Sequence, residues 1–244
     1  MKKNLDWLKS KPFAHRGLHL GAECPENSLS AFKNAINNEI PIELDVHVVA
    51  SGEVVVFHDD NLYRMTGISA AIEEQEWKDI KKLRLLNSNE CIPTLQQALE
   101  CIGEKVPVLV EIKNKKNIQG IEQPILNSLK KYNGPLGIQS FNPITLYWFK
   151  KNAPEIIRGQ LSGDFRDENM NFIKKIILRT MLLNWLSKPD FISYDIRALP
   201  VWAAKVLRKT LPVILWTIKT NDEISKAMKI GDNYIFELEN GNVP

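Results

Sequence analysis

Short apolar runs alternate with segments of helical period along most of the chain. "PFAHR" comes first, and a helix is predicted from about Ser28 to Asn38, with Ser28 a reasonable N-cap. "PIELDVHVV" reads as a strand, and "GEVVVFHDD" follows it after Ser51-Gly52, a turn pair that makes a hairpin. Residues 60–93 are polar and irregular and read as an excursion before the next repeat, not as a linker. The alternation then resumes. Helices "TLQQALECI", "IEQPILNSLKKY" and "PITLYWFKKN" lead to strands "VPVLVEIK", "LGIQSF" and "IIRGQLS". A long helical stretch leads to "DFISYDI", "PVWAAKVLRKT" to "PVILWTI", and "NDEISKAMKI" to the last strand, "NYIFE".

Without the hairpin strand, the alternation yields eight strands. They are near-continuously apolar, as parallel strands covered on both faces should be. Eight strand–helix repeats in about 250 residues predict an α/β chain folded as one (β/α)8 TIM barrel over residues 1–244, with a small insertion at about 60–93. An open doubly wound sheet is the alternative, but no Gly-x-Gly-x-x-Gly follows the first strand. Pro41, Pro107 and Pro212 each precede or open a strand, where a missing amide hydrogen is tolerated.

The composition changes little. Hydrophobic residues make up 44% and charged residues 25%, ordinary for a globular protein. A net charge of +3, with no basic arm or zinc-finger spacing, gives no argument for nucleic acid. Cys24, Cys91 and Cys101 match no metal or redox spacing and read as reduced thiols. "MKKNLDWLKSKPF" is a poor signal peptide, and no run reaches the roughly 20 apolar residues of a membrane span. A cytoplasmic setting is expected.

The polar residues on the strands carry the chemistry. In a barrel, catalytic groups come from the C-terminal ends of strands. Strand one ends in His15 and Arg16. Glu43 and Asp45 share one face of the next strand, with Leu44 and Val46 on the other. Glu111 and Lys113 repeat the pattern, and the hairpin strand ends in His58-Asp59. Three carboxylates at one barrel mouth raise one another's pKa, which one divalent cation relieves. Oxygen-only ligands select Mg²⁺ or Ca²⁺ rather than zinc. Arg16 and Lys113 suit a phosphate. His15 and His58 suit general acid and base work. Asp59 reads equally as a turn former or as an orienting partner for His58. His19 and His47 read as bystanders, although His47 shares the alternation of Asp45.

The ordered set "AHRG", "PENS", "IELDV", "VVVFHDD", "LYRMTG", "IPTLQQAL" and "VLVEIK" resembles the glycerophosphodiester phosphodiesterases. The resemblance is dense over the first 113 residues and thinner beyond, where it rests on "IQSF" and "VILWTI". It implies a TIM barrel with an insertion after the His-Asp motif. It also implies that His15 and His58 are the catalytic pair and that Arg16 contacts phosphate. Glu43, Asp45 and Glu111 match the metal ligands, and Lys113 the lysine after the third-strand glutamate. Trp216 matches an aromatic near the substrate, and Glu26 and Asn27 the Glu-Asn of the first loop. Ser28 stands where threonine is commoner. "YIFELENG" stands where the family often has Ile-Thr-Asp, which bears on substrate trimming.

The expected reaction is metal-dependent hydrolysis of a small-molecule glycerophosphodiester to glycerol 3-phosphate and an alcohol. A lysophospholipase D acting on lipids, a non-catalytic barrel that binds a phosphorylated ligand and, more distantly, a metal-dependent isomerase or aldolase are the alternatives. The stretch 172–189 is apolar and basic and contains Trp185, like an interfacial helix. The sequence favours an ordinary barrel helix burying one face there, and so no membrane contact.

Overall fold

The computed structural model describes residues 3–114, 119–165 and 170–238. The fold is a (β/α)8 barrel whose strands fall in two compact units, one of them Phe13–Leu136.

In this first unit, β1 (Phe13–Ala14) leads through a polar loop to α1 (Leu29–Asn37), β2 (Ile42–Val48) and β3 (Val54–Val56). Then come α2 (Tyr63–Thr66), α3 (Trp77–Ile80), α4 (Leu95–Ile102), β4 (Val108–Ile112) and α5 (Glu122–Leu129). β1 and β4 pair parallel with β2, and β3 pairs antiparallel with it, as the hairpin pattern predicts. The Ser28 hydroxyl accepts the Ala31 amide at the start of α1. Thr94 and Gln97 form a reciprocal capping box on α4. Both caps answer amides that the first helical turn leaves unpaired.

The segment 60–93 is less polar in function than in composition. Leu62, Met65, Ile72, Ile80, Leu85 and Ile92 pack with Val49, Val55 and Phe57 into a core of their own. The short helices α2 and α3 exist to deliver these apolar residues; their few turns carry no periodicity long enough to read in advance.

The second unit, Met1–Pro12 with Gly137–Pro244, contains β5 (Leu136–Ser140) from Gly137 onward, α6 (Pro143–Asn152), β6 (Ile157–Ser162), α7 (Phe172–Arg179), α8 (Asn184–Ser187) and β7 (Phe191–Asp195). It ends with α9 (Val201–Leu207), β8 (Val213–Ile218), α10 (Asn221–Ile230) and β9 (Asn233–Phe236). β5 to β9 pair parallel in chain order. Gly159 of β6 lies under the ring of Phe191 of β7, where a Cβ would sit only 2.1 Å from the ring. The Asn233 amide donates to the carbonyls of Leu8 and Lys11 at 2.8 and 2.7 Å and fastens the N-terminal segment to this unit.

The stretch 172–189 departs from the expected barrel helix. It forms two short helices, and no residue of α7 is buried. Apolar spacing on a helix identifies a face but not what covers it.

Candidate active site

The loop after β1 folds back onto β2. Arg16 takes a left-handed backbone at φ 56°, uncommon for a side chain of this size. Its amide donates to Glu43 Oε2 at 3.1 Å, and the Gly17 amide donates to the Glu43 carbonyl at 3.1 Å. Gly17 is itself at φ 78°, where a Cβ would meet Ala31 and Phe32 at 3.0 Å. Asn27, also at positive φ, donates its amide to the Arg16 carbonyl at 2.9 Å. Its side chain donates to Asp45 Oδ2 at 2.9 Å and accepts the Asp45 amide at 3.3 Å. The Pro-Glu-Asn-Ser turn thus carries one residue that locks the strand tip to the carboxylate strand.

Glu43, Asp45 and His47 occupy one face of β2 and are all buried, as are Leu44 and Val46 on the other face. Asp45 and Glu111 are register partners across β2 and β4. Each of Glu43, Asp45 and Glu111 offers an oxygen, and these oxygens lie within 4.8 Å of one another, close enough to hold a metal ion. The Lys113 ammonium lies 2.8 Å from Asp45 Oδ1 and 2.5 Å from Glu111 Oε1, its side chain only 11% exposed. Arg16 Nε stands 3.6 Å from Asp45 Oδ2.

Electrostatics divides the carboxylates. Burial, then the charges of Asp45 and Glu111, push the Glu43 carboxyl well above its ordinary range. Burial acts the same way on Asp45, but Lys113, then His58, Arg16 and His15, outweigh it and hold that carboxyl far below the usual value. Lys113 is pushed well up: burial opposes its charge, and Asp45 and Glu111 overcome the penalty.

His58 follows Phe57, whose amide donates to the Asp45 carbonyl at 3.0 Å. Its Nδ1 is 2.7 Å from Asp59 Oδ1, so Asp59 is the orienting partner rather than only a turn former. The buried His47 ring reaches the His58 carbonyl at 3.3 Å through Nε2 and Glu73 at 3.3 Å through Nδ1. It is a brace for the His58 backbone, not a bystander. The sequence signal was its place on the Asp45 face of β2.

Arg64, in the insertion, had no role in the sequence reading beyond its place in "LYRMTG". It binds Asp59 at 2.6 and 3.0 Å and Glu26 at 2.8 and 2.6 Å. Glu26 in turn accepts from Arg16 Nη1 at 2.7 Å. One chain of ion pairs therefore runs from His58 through Asp59, Arg64 and Glu26 to Arg16. For Glu26, burial is outweighed by its bond to Arg64, which lowers its carboxyl below 4.5. For Asp59, burial is outweighed by its bonds to His58 and Arg64, which hold it below 3.8. A carboxylate depressed by folding contributes stability above its unfolded pKa and loses it as pH falls through the folded value. Arg64→Leu is therefore expected to lower the unfolding free energy at pH 7 by about 1 kcal/mol, the exposed guanidinium being screened by solvent. The gap to the wild type should close as pH drops below about 4. Urea melts across pH 3–7 check it; a gap that does not narrow on acidification refutes the link.

Trp216 belongs to the second unit. Its ring meets Phe141 edge-on at 5.8 Å, Phe141 meets Phe165 at 5.7 Å, and a Cβ at Gly163 would stand 3.5 Å from the indole. In the same unit, Asp195 pairs with Arg197 through both carboxylate oxygens.

The model of the glycerophosphoryl diester phosphodiesterase family matches residues 15–236. The chain belongs to that family. A glycerophosphodiester phosphodiesterase from Caldanaerobacter subterraneus subsp. tengcongensis is 36% identical over 166 residues, which cover 63% of this chain and 67% of the relative. Glycerophosphodiester phosphodiesterase 1 of Bos taurus is 28% identical over 91% of this chain and 76% of its own length. An Oleispira antarctica phosphodiesterase, solved in complex with the product sn-glycerol-3-phosphate, superposes with a TM-score of 0.80 at 24% identity, covering 94% of this chain and 93% of that one. Family membership makes this chain a phosphoric diester hydrolase of the glycerophosphodiester class.

Proposed function

We propose that the chain hydrolyses small glycerophosphodiesters to glycerol 3-phosphate and an alcohol. In this reading His15 and His58 are the acid–base pair, and one divalent cation, Mg²⁺ or Ca²⁺, is held by Glu43, Asp45 and Glu111. The observation that carries it is the buried carboxylate trio beside two cations and a carboxylate-held histidine. The glycerol phosphate named for the Oleispira relative supports the same product.

The donor set fits a hard ion, being all oxygen. Three carboxylates facing Lys113 and Arg16 would repel a phosphodiester anion, and a divalent charge reverses that sign. When bound, such an ion supplies Lewis-acid stabilisation of the charge that builds on the phosphoryl oxygens. Arg16 is held by Glu26 with its guanidinium beside Asp45, where it can grip a phosphate oxygen. Lys113 supplies a second positive charge at the same place. His58, its Nδ1 fixed on Asp59, exchanges protons through Nε2, and Asp59 stabilises the imidazolium. One histidine takes the proton from the attacking nucleophile as the phosphorus–oxygen bond to the leaving group breaks. The other delivers a proton to the departing alkoxide. A substrate contact by Trp216 rests on the family resemblance.

No helix among the described residues is long and apolar enough to cross a membrane. Three free thiols support a reducing, cytoplasmic setting. The test is release of glycerol 3-phosphate from glycerophosphocholine in Mg²⁺ or Ca²⁺ buffer. Stoichiometric choline and glycerol 3-phosphate are expected; folded protein releasing neither with either ion overturns the reading.

A further inference from the structure

We propose that residues 172–185, α7 with the turn and helix that follow, form a docking surface for an anionic lipid bilayer. Phe172, Ile173, Ile176, Leu182 and Trp185 are 76, 68, 43, 62 and 70% exposed. Single exposed apolar residues are ordinary on a protein surface; five within fourteen positions are not. Phe172, Ile173 and Ile176 lie within about 100° of arc on one face of α7. A barrel helix turns such a face inward, and here it faces solvent.

Charge selects the occupant. Lys174, Lys175, Arg179 and Lys188 fall within or beside this segment, and no acidic residue occurs between positions 170 and 189. On the helical wheel Lys175 and Arg179 border one side of the apolar face. Apolar side chains flanked by lysine and arginine match the headgroup boundary of an anionic bilayer, each basic group near the surface adding to the attraction. α9, which follows the neighbouring strand, repeats the pattern: Trp202 and Val206 are exposed beside Lys205.

The patch is held at a defined place. The Ser162 hydroxyl, at the C-terminal end of β6, donates to the Leu178 carbonyl at 2.9 Å. The Tyr194 hydroxyl, near the end of β7, donates to the Arg179 carbonyl at 2.9 Å. α7 is thus tied to the C-terminal ends of two strands, the end of a (β/α)8 barrel where chemistry resides. Docking through α7 turns that end of β6 and β7 toward the lipid.

The test sediments the full chain with vesicles of phosphatidylcholine alone or mixed with phosphatidylglycerol. Wild type should partition roughly tenfold more onto the mixed vesicles, less so as salt rises. The triple variant F172S/I173S/W185S should lose that binding by about tenfold with an unchanged melting temperature, since none of the three is buried. K174E/K175E should lose the preference for anionic vesicles. Wild type left in the supernatant with mixed vesicles, or a triple variant that binds as well as wild type, overturns the proposal. A concentration-dependent dimer abolished by the triple variant, without vesicle binding, assigns the face to a second copy and also overturns it. Turnover of glycerophosphocholine on the same samples keeps this separate from the catalytic reading, because the variants leave it unchanged.

Discussion

Replacing His58 with alanine is expected to lower kcat/KM by roughly 10³-fold, in the middle of what general acid–base catalysis supplies. His15→Ala should cost a similar factor. Neither change should unfold the chain, because both rings are only partly buried at the strand tips. The pH profile should distinguish loss of a proton carrier from loss of shape. Wild type should show two limbs, and each single variant should lack one of them. Asp59→Asn should fall between wild type and His58→Ala, since the imidazole stays while its orienting carboxylate is lost. Steady-state rates for a glycerophosphodiester measure all of this. A variant of either histidine that turns over near the normal rate would remove that residue from the mechanism.

The second large effect concerns the carboxylates. Chelation with EDTA is expected to take turnover to background, with recovery on adding Mg²⁺ or Ca²⁺. The stripped protein should stay folded, because Lys113 already bridges Asp45 and Glu111. Asp45→Ala should behave differently. It removes a proposed ligand, takes one of its two carboxylate partners from the enclosed Lys113 ammonium and takes the acceptor from the Asn27 side-chain amide. Breaking a buried pair from one side costs about 3–5 kcal/mol, which for a chain of this length lowers the melting temperature by roughly 10 °C. Glu43→Gln supplies the contrast: burial and two neighbouring carboxylates already oppose its charge, so the neutral amide should abolish turnover without that loss of stability. Melting curves and rates for the two variants decide it. An Asp45→Ala protein as stable as wild type would refute the charge argument.

Much of this was legible from residue order alone. The alternation of Glu43 and Asp45 with Leu44 and Val46 placed two carboxylates on one buried face before any coordinates, because the period of a strand leaves no other choice. Ser28 read as a cap and is one. The illegible part depended on tertiary approach. Arg64 lies 38 positions from Glu26, and no local pattern announces that they meet. His47 showed its face but not its contact with the His58 carbonyl. The apolar spacing of α7 predicted a buried face, and only the packed structure reveals that no residue of that helix is buried.

The bridge from Arg64 to both Asp59 and Glu26 has a consequence for how this chain should lose activity. The insertion packs against Val49, Val55 and Phe57 in a small core, so it can open as a cooperative piece at lower cost than the strands beneath it. When it opens, Arg64 leaves, and His58 and Arg16, the proposed acid–base and phosphate-binding residues, lose their common anchor together. Turnover in this chain therefore serves as a thermometer for local melting of residues 60–93, registering disorder there while the strands remain intact.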